Sequence, residues 1–289
     1  IFNRYLSGPS CIWPLLKASF KNNLDRFNSS CFNLYRVAIM KKTILITGAT
    51  DGIGLNTAKA LVSLGHAVLI HGRSPEKLAQ VENTLNAIPD GIKVVPYLAD
   101  LSDLLEVAHF ASAVKANHIK VDVLINNAGV LKTNTPINKD GMDVRFVVNT
   151  LAPYLLTQKL LPLLDSTARV INLSSAAQAP VDLDALTGKK HVSDDLNAYA
   201  QSKLAITMWS CGVAQKLSLH GPMIVAVNPG SLLATKMVIE GFGIAGKDVN
   251  IGSDILIRAS LSDEFNNTSG EYFDNDSGQF SAPHIDALN

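Results

Sequence analysis

From Thr43 onward, short runs of β-branched and aliphatic residues alternate with longer stretches whose apolar positions recur every three or four residues. The runs predict strands at Thr43–Thr47, Ala67–His71, Ile92–Tyr97, Val121–Asn126, Arg169–Ser174 and Met223–Asn228, with a short last one near Glu271–Phe273. Ile44-Leu45-Ile46 and Val68-Leu69-Ile70 are apolar at every position, the pattern of parallel strands covered by helices on both sides. Helical periodicity spans Gly54–Leu64, Pro75–Asn86 and Ser102–Lys115, and Ser74-Pro75 supplies a cap residue followed by proline at the first helical position. Repeated βα units predict an α/β fold: a single-domain Rossmann-type doubly wound parallel sheet of about seven strands with helices on both faces. No Pro/Ser-rich linker or internal repeat divides residues 40–289, which read as one domain.

Residues 1–39 break this pattern. They carry five basic residues (Arg4, Lys17, Lys21, Arg26, Arg36) against the single acidic Asp25, and Met40 directly precedes the first strand. Two readings are open: upstream translated sequence ahead of a natural start at Met40, or a basic, acid-poor targeting peptide. Either way residues 1–39 are an extension outside the fold, and the expected location is cytoplasmic unless the segment is a targeting signal. Hydrophobic residues at 47% and charged residues at 17% suit a compact domain. Lys plus Arg and Asp plus Glu both number 25, so charge gives no reason to expect a nucleic-acid partner. No run of about 18 apolar residues predicts a membrane span. Cys11, Cys31 and Cys211 have neither metal-ligand spacing nor a disulfide framework and fit a reducing compartment.

The first strand runs into Thr47-Gly48-Ala49-Thr50-Asp51-Gly52-Ile53-Gly54 and then a helix. Glycines there let the backbone turn tightly against a pyrophosphate, and the helix N-terminus offers free N–H groups. The second strand ends in His71-Gly72-Arg73. An acidic residue in this region would hold the ribose 2′-hydroxyl of NAD; Arg73 can instead pair with the 2′-phosphate of NADP. Asp51 would repel that phosphate somewhat.

Two later segments carry reactive groups. In Asn197-Ala198-Tyr199-Ala200-Gln201-Ser202-Lys203, Tyr199 and Lys203 share one helix face. A free tyrosine, with a pKa of about 10, is a poor base at neutral pH, and a neighbouring ammonium is expected to lower it. Asn172-Leu173-Ser174-Ser175 falls at the carboxyl end of a strand, where a serine hydroxyl can bond a substrate oxygen as charge develops on it.

In this order the motifs resemble the short-chain dehydrogenase/reductase family across nearly all of residues 43–280. The family's TGxxxGxG turn matches Thr47–Gly54, its adenine-side aspartate matches Asp100 with Leu101 beside it, and its NNAG motif matches Asn126-Asn127-Ala128-Gly129. Its helix asparagine matches Asn149, its catalytic serine Ser175, its YxxxK pair Tyr199 and Lys203, and its Pro-Gly turn Pro229-Gly230. The resemblance implies that Tyr199 is the general acid or base, that Lys203 lowers its pKa and holds the nicotinamide ribose, that Ser175 orients the substrate oxygen and that Asn149 organises a relay water. It implies a cofactor site formed by Gly48, Thr50, Gly52, Ile53, Gly54, Arg73, Asp100, Leu101, Asn127, Ala128, Gly129, Tyr199, Lys203, Pro229 and Gly230. The expected cofactor is NADP(H), with NAD(H) as the alternative; the expected reaction moves a hydride between it and a carbonyl or alcohol substrate. A non-catalytic NADP(H)-binding regulator is the rival from another class. No metal is implied, and the histidines, without any ligand cluster, read as surface or packing residues.

Within the family the chain looks most like the retinol dehydrogenase and WW-domain oxidoreductase branch. Ser175 and Tyr199 stand 24 positions apart, so Pro180–Asp195 is an insertion that reads equally as a substrate-facing flap or a polar surface loop. The threonine that follows Pro-Gly in the family falls one residue later here, at Thr235. Ser231–Asn250 holds Leu232, Leu233, Met237, Val238, Ile239, Phe242 and Ile244, either a lid over an apolar substrate or ordinary core. A homodimer or homotetramer is a further expectation from the resemblance.

Overall fold

The computed structural model describes residues 41–288, so the expectations for residues 1–39, with Cys11 and Cys31, lie outside the described residues. In chain order the strands are β1 Thr43–Ile46, β2 Ala67–Gly72, β3 Val95–Leu98, β4 Val123–Asn126, β5 Arg169–Leu173, β6 Met223–Asn228, β7 Tyr272–Asp274 and β8 Gln279–Ser281. The main helices are α1 Gly52–Ser63, α2 Pro75–Asn86, α3 Leu104–Asn117, α4 Val144–Phe146, α5 Ala152–Leu160, α6 Leu183–Leu186, α7 Asp195–Leu217, α8 Lys236–Phe242 and α9 Asn250–Leu261; a π-helical turn, Val147–Leu151, joins α4 to α5.

The sheet order is β3-β2-β1-β4-β5-β6-β7-β8, parallel through β7. Strands β1, β2, β4, β5 and β6 each feed two cores, because successive side chains point to opposite faces. Ile44 and Ile46 pack with α1, α2 and α9 residues such as Leu61, Leu85 and Leu256, whereas Leu45 between them joins Phe110, Leu156 and Val213 of α3, α5 and α7. β4 repeats the division, with Val123 and Ile125 on one face and Leu124 on the other. That two-sided burial is why these strands read as unbroken apolar runs.

The differences from expectation have local causes. β3 is the edge strand, so Pro96 is tolerated and Val95 and Leu98 stay exposed, and the strand starts later than the apolar run from Ile92 suggests. β8 adds an eighth, antiparallel strand on β7 through a turn with Gly278 at φ +73°; three residues of mixed polarity gave no run to read. Side-chain caps set the helix starts: Asp51 for α1, Ser74 with Pro75 for α2, Asp103 for α3 and Asp194 for α7. The order of strands reverses between β1 and β4, and the crevice outside their carboxyl ends is where such sheets bind ligands.

Candidate active site

On one side of the crevice lies the turn from β1 to α1. Gly48 and Gly52 have φ of +64° and +51°, the left-handed region that glycine enters without strain. A Cβ on Gly54 would lie 2.4 Å from both the Gly48 carbonyl oxygen and Asn127 Nδ2, so only glycine lets α1 sit this close to the turn. Asp51 Oδ1 accepts the Gly52 amide hydrogen at 2.8 Å, so the first free N–H of α1 already has a carboxylate on it. Thr50 packs under Gly72, where a Cβ would meet Thr50 Cγ2 at 2.5 Å; Ile53 packs against Gly252 of α9, where a Cβ would meet it at 3.0 Å. Arg73 is exposed just beyond β2, and no ion pair among the described residues involves it.

The Asn126–Gly129 segment braces that turn. Asn127 Nδ2 donates to the Thr47 and Gly48 carbonyl oxygens at 2.8 and 3.0 Å. Thr47 Oγ1 accepts from the backbone amides of Asn127 and Ala128 at 3.0 and 3.1 Å. Thr47 is therefore a hub of the site, although the sequence offered it only as the first letter of a motif. Asp100 Oδ1 caps the Ser102 amide at 2.9 Å, and the side chain of Leu101 is buried in the core against α3, not in the crevice. Pro229 and Gly230 lie at the end of β6; Gly230 has φ +118°, and the Pro229 carbonyl oxygen accepts from Asn275 Nδ2 at 2.9 Å.

The reactive groups meet at Gly129. A Cβ there would be 3.5 Å from Asn149 Oδ1, 3.5 Å from Met237 Cε and 3.7 Å from Lys203 Nζ, so the missing side chain leaves a gap walled by an amide, a thioether and an ammonium. A Cβ on Gly52 would likewise point across the groove at Thr235 Cγ2, 3.4 Å away. Lys203 is 4% exposed; its Nζ donates to the Leu173 carbonyl oxygen at 2.7 Å and lies 5.6 Å from the centre of the Tyr199 ring. The Ser175 side chain lies near enough to the Tyr199 hydroxyl to act on its pKa, lowering it. Ser174, the neighbour, is buried and bonded to Thr207 Oγ1 at 2.7 Å and to the Lys203 carbonyl at 3.1 Å, which leaves Ser175 as the serine at the site.

Two expectations change here. Burial raises the Tyr199 pKa above its ordinary value, opposed by the Ser175 side chain, and burial also lowers Lys203 to about 8. The ammonium, held on Leu173 beside the ring, does not dominate the phenol as its sequence spacing suggested. Asn149 lies in the π-turn and is fully engaged: Oδ1 accepts the Val130 amide at 2.8 Å, while Nδ2 donates to the Val130 carbonyl and Ser202 Oγ, both at 2.9 Å. Its side chain thus locks α4–α5 to α7, leaving only its backbone to hold a water.

Val181, Leu183 and Leu186 of the insertion line a cavity of about 760 Å³ with Tyr154, Met208 and Trp209. The insertion is pinned by the Asp182 amide donating to Gln201 Oε1 at 3.0 Å and by Arg145, which bonds the Val192 carbonyl at 3.3 Å and pairs with Asp143 and Asp195. α8, by contrast, lies over Gly129 and has no buried residue, with Ile239 at 53% and Phe242 at 46% exposure. Its excursion is closed at the base by the Ala234 amide on the Lys247 carbonyl (2.6 Å) and the Lys247 amide on the Leu232 carbonyl (2.7 Å). Left-handed backbone at Leu232, φ +56°, absorbs the extra residue before Thr235, which caps α8.

The family profile for short chain dehydrogenases matches residues 42–242. Retinol dehydrogenase 13 of Mus musculus is 30% identical over 83% of this chain and 77% of its own length. The polyprenol dehydrogenase of Homo sapiens is 31% identical over 81% of this chain and 77% of its own. Among solved structures, a short chain dehydrogenase from Escherichia coli CFT073 complexed with NADPH superposes with a TM-score of 0.67 at 25% identity, covering 83% of this chain and 98% of that one. No helix among the described residues is long and apolar enough to cross a membrane.

Proposed function

The chain belongs to the short-chain dehydrogenase family, and on that premise we propose that it is an NADP(H)-dependent oxidoreductase working through Tyr199, Lys203, Ser175 and Asn149 on a carbonyl or alcohol group borne by an apolar substrate. The observation that carries this reading is the gap at Gly129, with Lys203 Nζ and Asn149 Oδ1 on its wall and the Ser175–Tyr199 pair on the neighbouring elements. When bound, the nicotinamide supplies or takes the hydride. Ser175 donates a hydrogen bond to the substrate oxygen, and Tyr199 passes its proton to that oxygen in reduction or takes it back in oxidation. Burial favours a protonated phenol, which suits Tyr199 to the role of acid. Lys203, four residues along α7, presents its ammonium to the ribose side of the gap. Asn149 fixes the backbone at the π-turn, a position from which its carbonyl can hold a relay water.

The NADP(H) preference is supported by Arg73, exposed at the end of β2 and in no ion pair among the described residues. The apolar substrate is supported by Met237 against Gly129 and by the exposed Ile239 and Phe242 of α8, and agrees with the retinol and polyprenol in the relatives' names. The test is turnover of long-chain aldehydes with NADPH and of the matching alcohols with NADP, in wild type and Tyr199→Phe. The variant should keep cofactor affinity within about twofold and lose at least about a hundredfold in kcat. Full activity in Tyr199→Phe removes that residue from the mechanism, and cofactor binding without any turnover supports the regulator instead.

A further inference from the structure

His71 is a polar residue in the middle of an apolar sheet. It lies on β2, 2% exposed, with its ring stacked on Phe110 at 4.9 Å between centroids. Its Nδ1 accepts the Gly48 amide hydrogen at 3.2 Å, and its Nε2 lies 3.0 Å from the Ala99 carbonyl oxygen. A carbonyl only accepts and an amide N–H only donates, so the two partners together define a neutral ring protonated on Nε2. Burial lowers the imidazole pKa to about 4, so the ring stays in that state at neutral pH. Gly48 opens the glycine turn, and Ala99 immediately precedes Asp100. The backbone ties the same three places together: the Ala49 amide bonds the His71 carbonyl at 2.9 Å, and the Ala99 amide bonds the Gly72 carbonyl at 3.2 Å.

We propose that His71 is a positioning residue for the nucleotide: its imidazole sets the direction of the Gly48 peptide and the spacing between the glycine turn and the Ala99–Asp100 corner. The proposal rests on the cofactor site inferred above. Gly48 sits in a left-handed conformation that glycine leaves easily, so a buried acceptor for its N–H restricts a peptide that the chain alone would not hold. An apolar residue at position 71 would fill the core as well, but would leave the Gly48 donor and the Ala99 acceptor without their partner.

The test compares wild type, His71→Leu and His71→Gln. A glutamine amide can accept from Gly48 and donate to Ala99 with no charge. Dissociation constants for NADPH, read from nicotinamide fluorescence, are set beside kcat at saturating NADPH and Tm. His71→Leu should weaken NADPH by about tenfold, the size of one neutral hydrogen bond, with kcat at saturation within about twofold of wild type. His71→Gln should recover most of the lost affinity. An unchanged NADPH constant in a His71→Leu protein with lowered Tm makes the histidine a packing residue and overturns the proposal. So does equal loss of affinity in both variants. Should the leucine protein not fold, glutamine decides alone: near wild-type affinity supports the role, and a tenfold loss at wild-type Tm refutes it. Wild-type protein that binds neither NADPH nor NADH overturns the cofactor site and this inference with it, a result visible before any variant is made.

Discussion

Replacing Arg145 by methionine should destabilise the fold far more than replacing Asp195 by asparagine, although both changes break the same ion pair. Arg145 is 2% exposed and grips Asp143 with two hydrogen bonds, Nε to Oδ1 at 2.9 Å and Nη2 to Oδ2 at 2.6 Å, while Nη1 pairs with Asp195 at the start of α7. The carboxylates differ in surroundings: the Asp143 side chain is 3% exposed and that of Asp195 is 43% exposed. Methionine fills much of the arginine's volume but strands the Asp143 charge, which keeps only the amide hydrogen bond of residue 145. Breaking a buried pair from one side costs about 3–5 kcal/mol. In a domain of this size each kcal/mol moves Tm by about 2–4 °C, so Arg145→Met should fall by on the order of 10 °C. Asp195→Asn removes a half-exposed partner worth at most about 1 kcal/mol. Urea denaturation followed by circular dichroism gives both values, and adding Asp143→Asn to Arg145→Met should recover part of the loss by removing the stranded charge. Two single variants within about 1 kcal/mol of each other would refute the assignment of the cost to the burial of Asp143.

Arg73→Ala should raise the dissociation constant for NADPH by about tenfold or more and leave NADH nearly unchanged, because only the former carries the phosphate that a guanidinium pairs with; equal loss for both removes Arg73 from that role. Lys203 gives a pH signature. With its pKa lowered to about 8 by burial, the ammonium is intact below that pH and is lost above it, so kcat/KM should fall as pH rises through about 8. The linkage to stability has the opposite sign: between about 8 and the unfolded value the unfolded chain binds the extra proton, so this group's contribution to stability increases with pH. Falling activity with unfolding on the same pH axis would contradict the assignment, as would a flat kcat/KM profile across the range.

What the sequence made legible was local. The glycine turn, the Tyr199–Lys203 pair and the cap at Ser74 depend on spacings of a few residues, and the structure keeps each of those spacings. What stayed hidden depends on partners far along the chain. His71 bonds residues 23 and 28 positions away, and Arg145 reaches Asp195 across 50. The π-turn at Val147–Leu151 carries no composition signal, since Val-Val-Asn-Thr-Leu reads as ordinary helix. The electrostatics of Tyr199 and Lys203 have the same long-range origin: four residues of spacing brings two side chains together, whereas the pKa of each follows from how deeply the rest of the fold buries it.

The site residues also divide into two kinds that the sequence could not separate. Gly52, Gly129, Ser175, Tyr199 and Lys203 lie where the proposed function places its ligands, while Asn127, Asn149 and the side chain of Leu101 hold the frame around them. Asn127 and Asn149 use an amide side chain in the same way: each bonds the backbone of a loop that has no ladder partner there, Asn127 at Thr47 and Gly48, Asn149 at both polar groups of Val130. A primary amide can donate and accept without carrying charge, so it can fasten a loop in a buried place without burying an ion. His71 meets the same demand with a neutral imidazole, one donor and one acceptor on opposite sides of a flat ring. Neutral two-way groups are thus placed wherever the crevice wall must be both irregular and rigid. Among the described residues the buried cation beside Gly129 is Lys203, at the place where the proposed chemistry needs a charge.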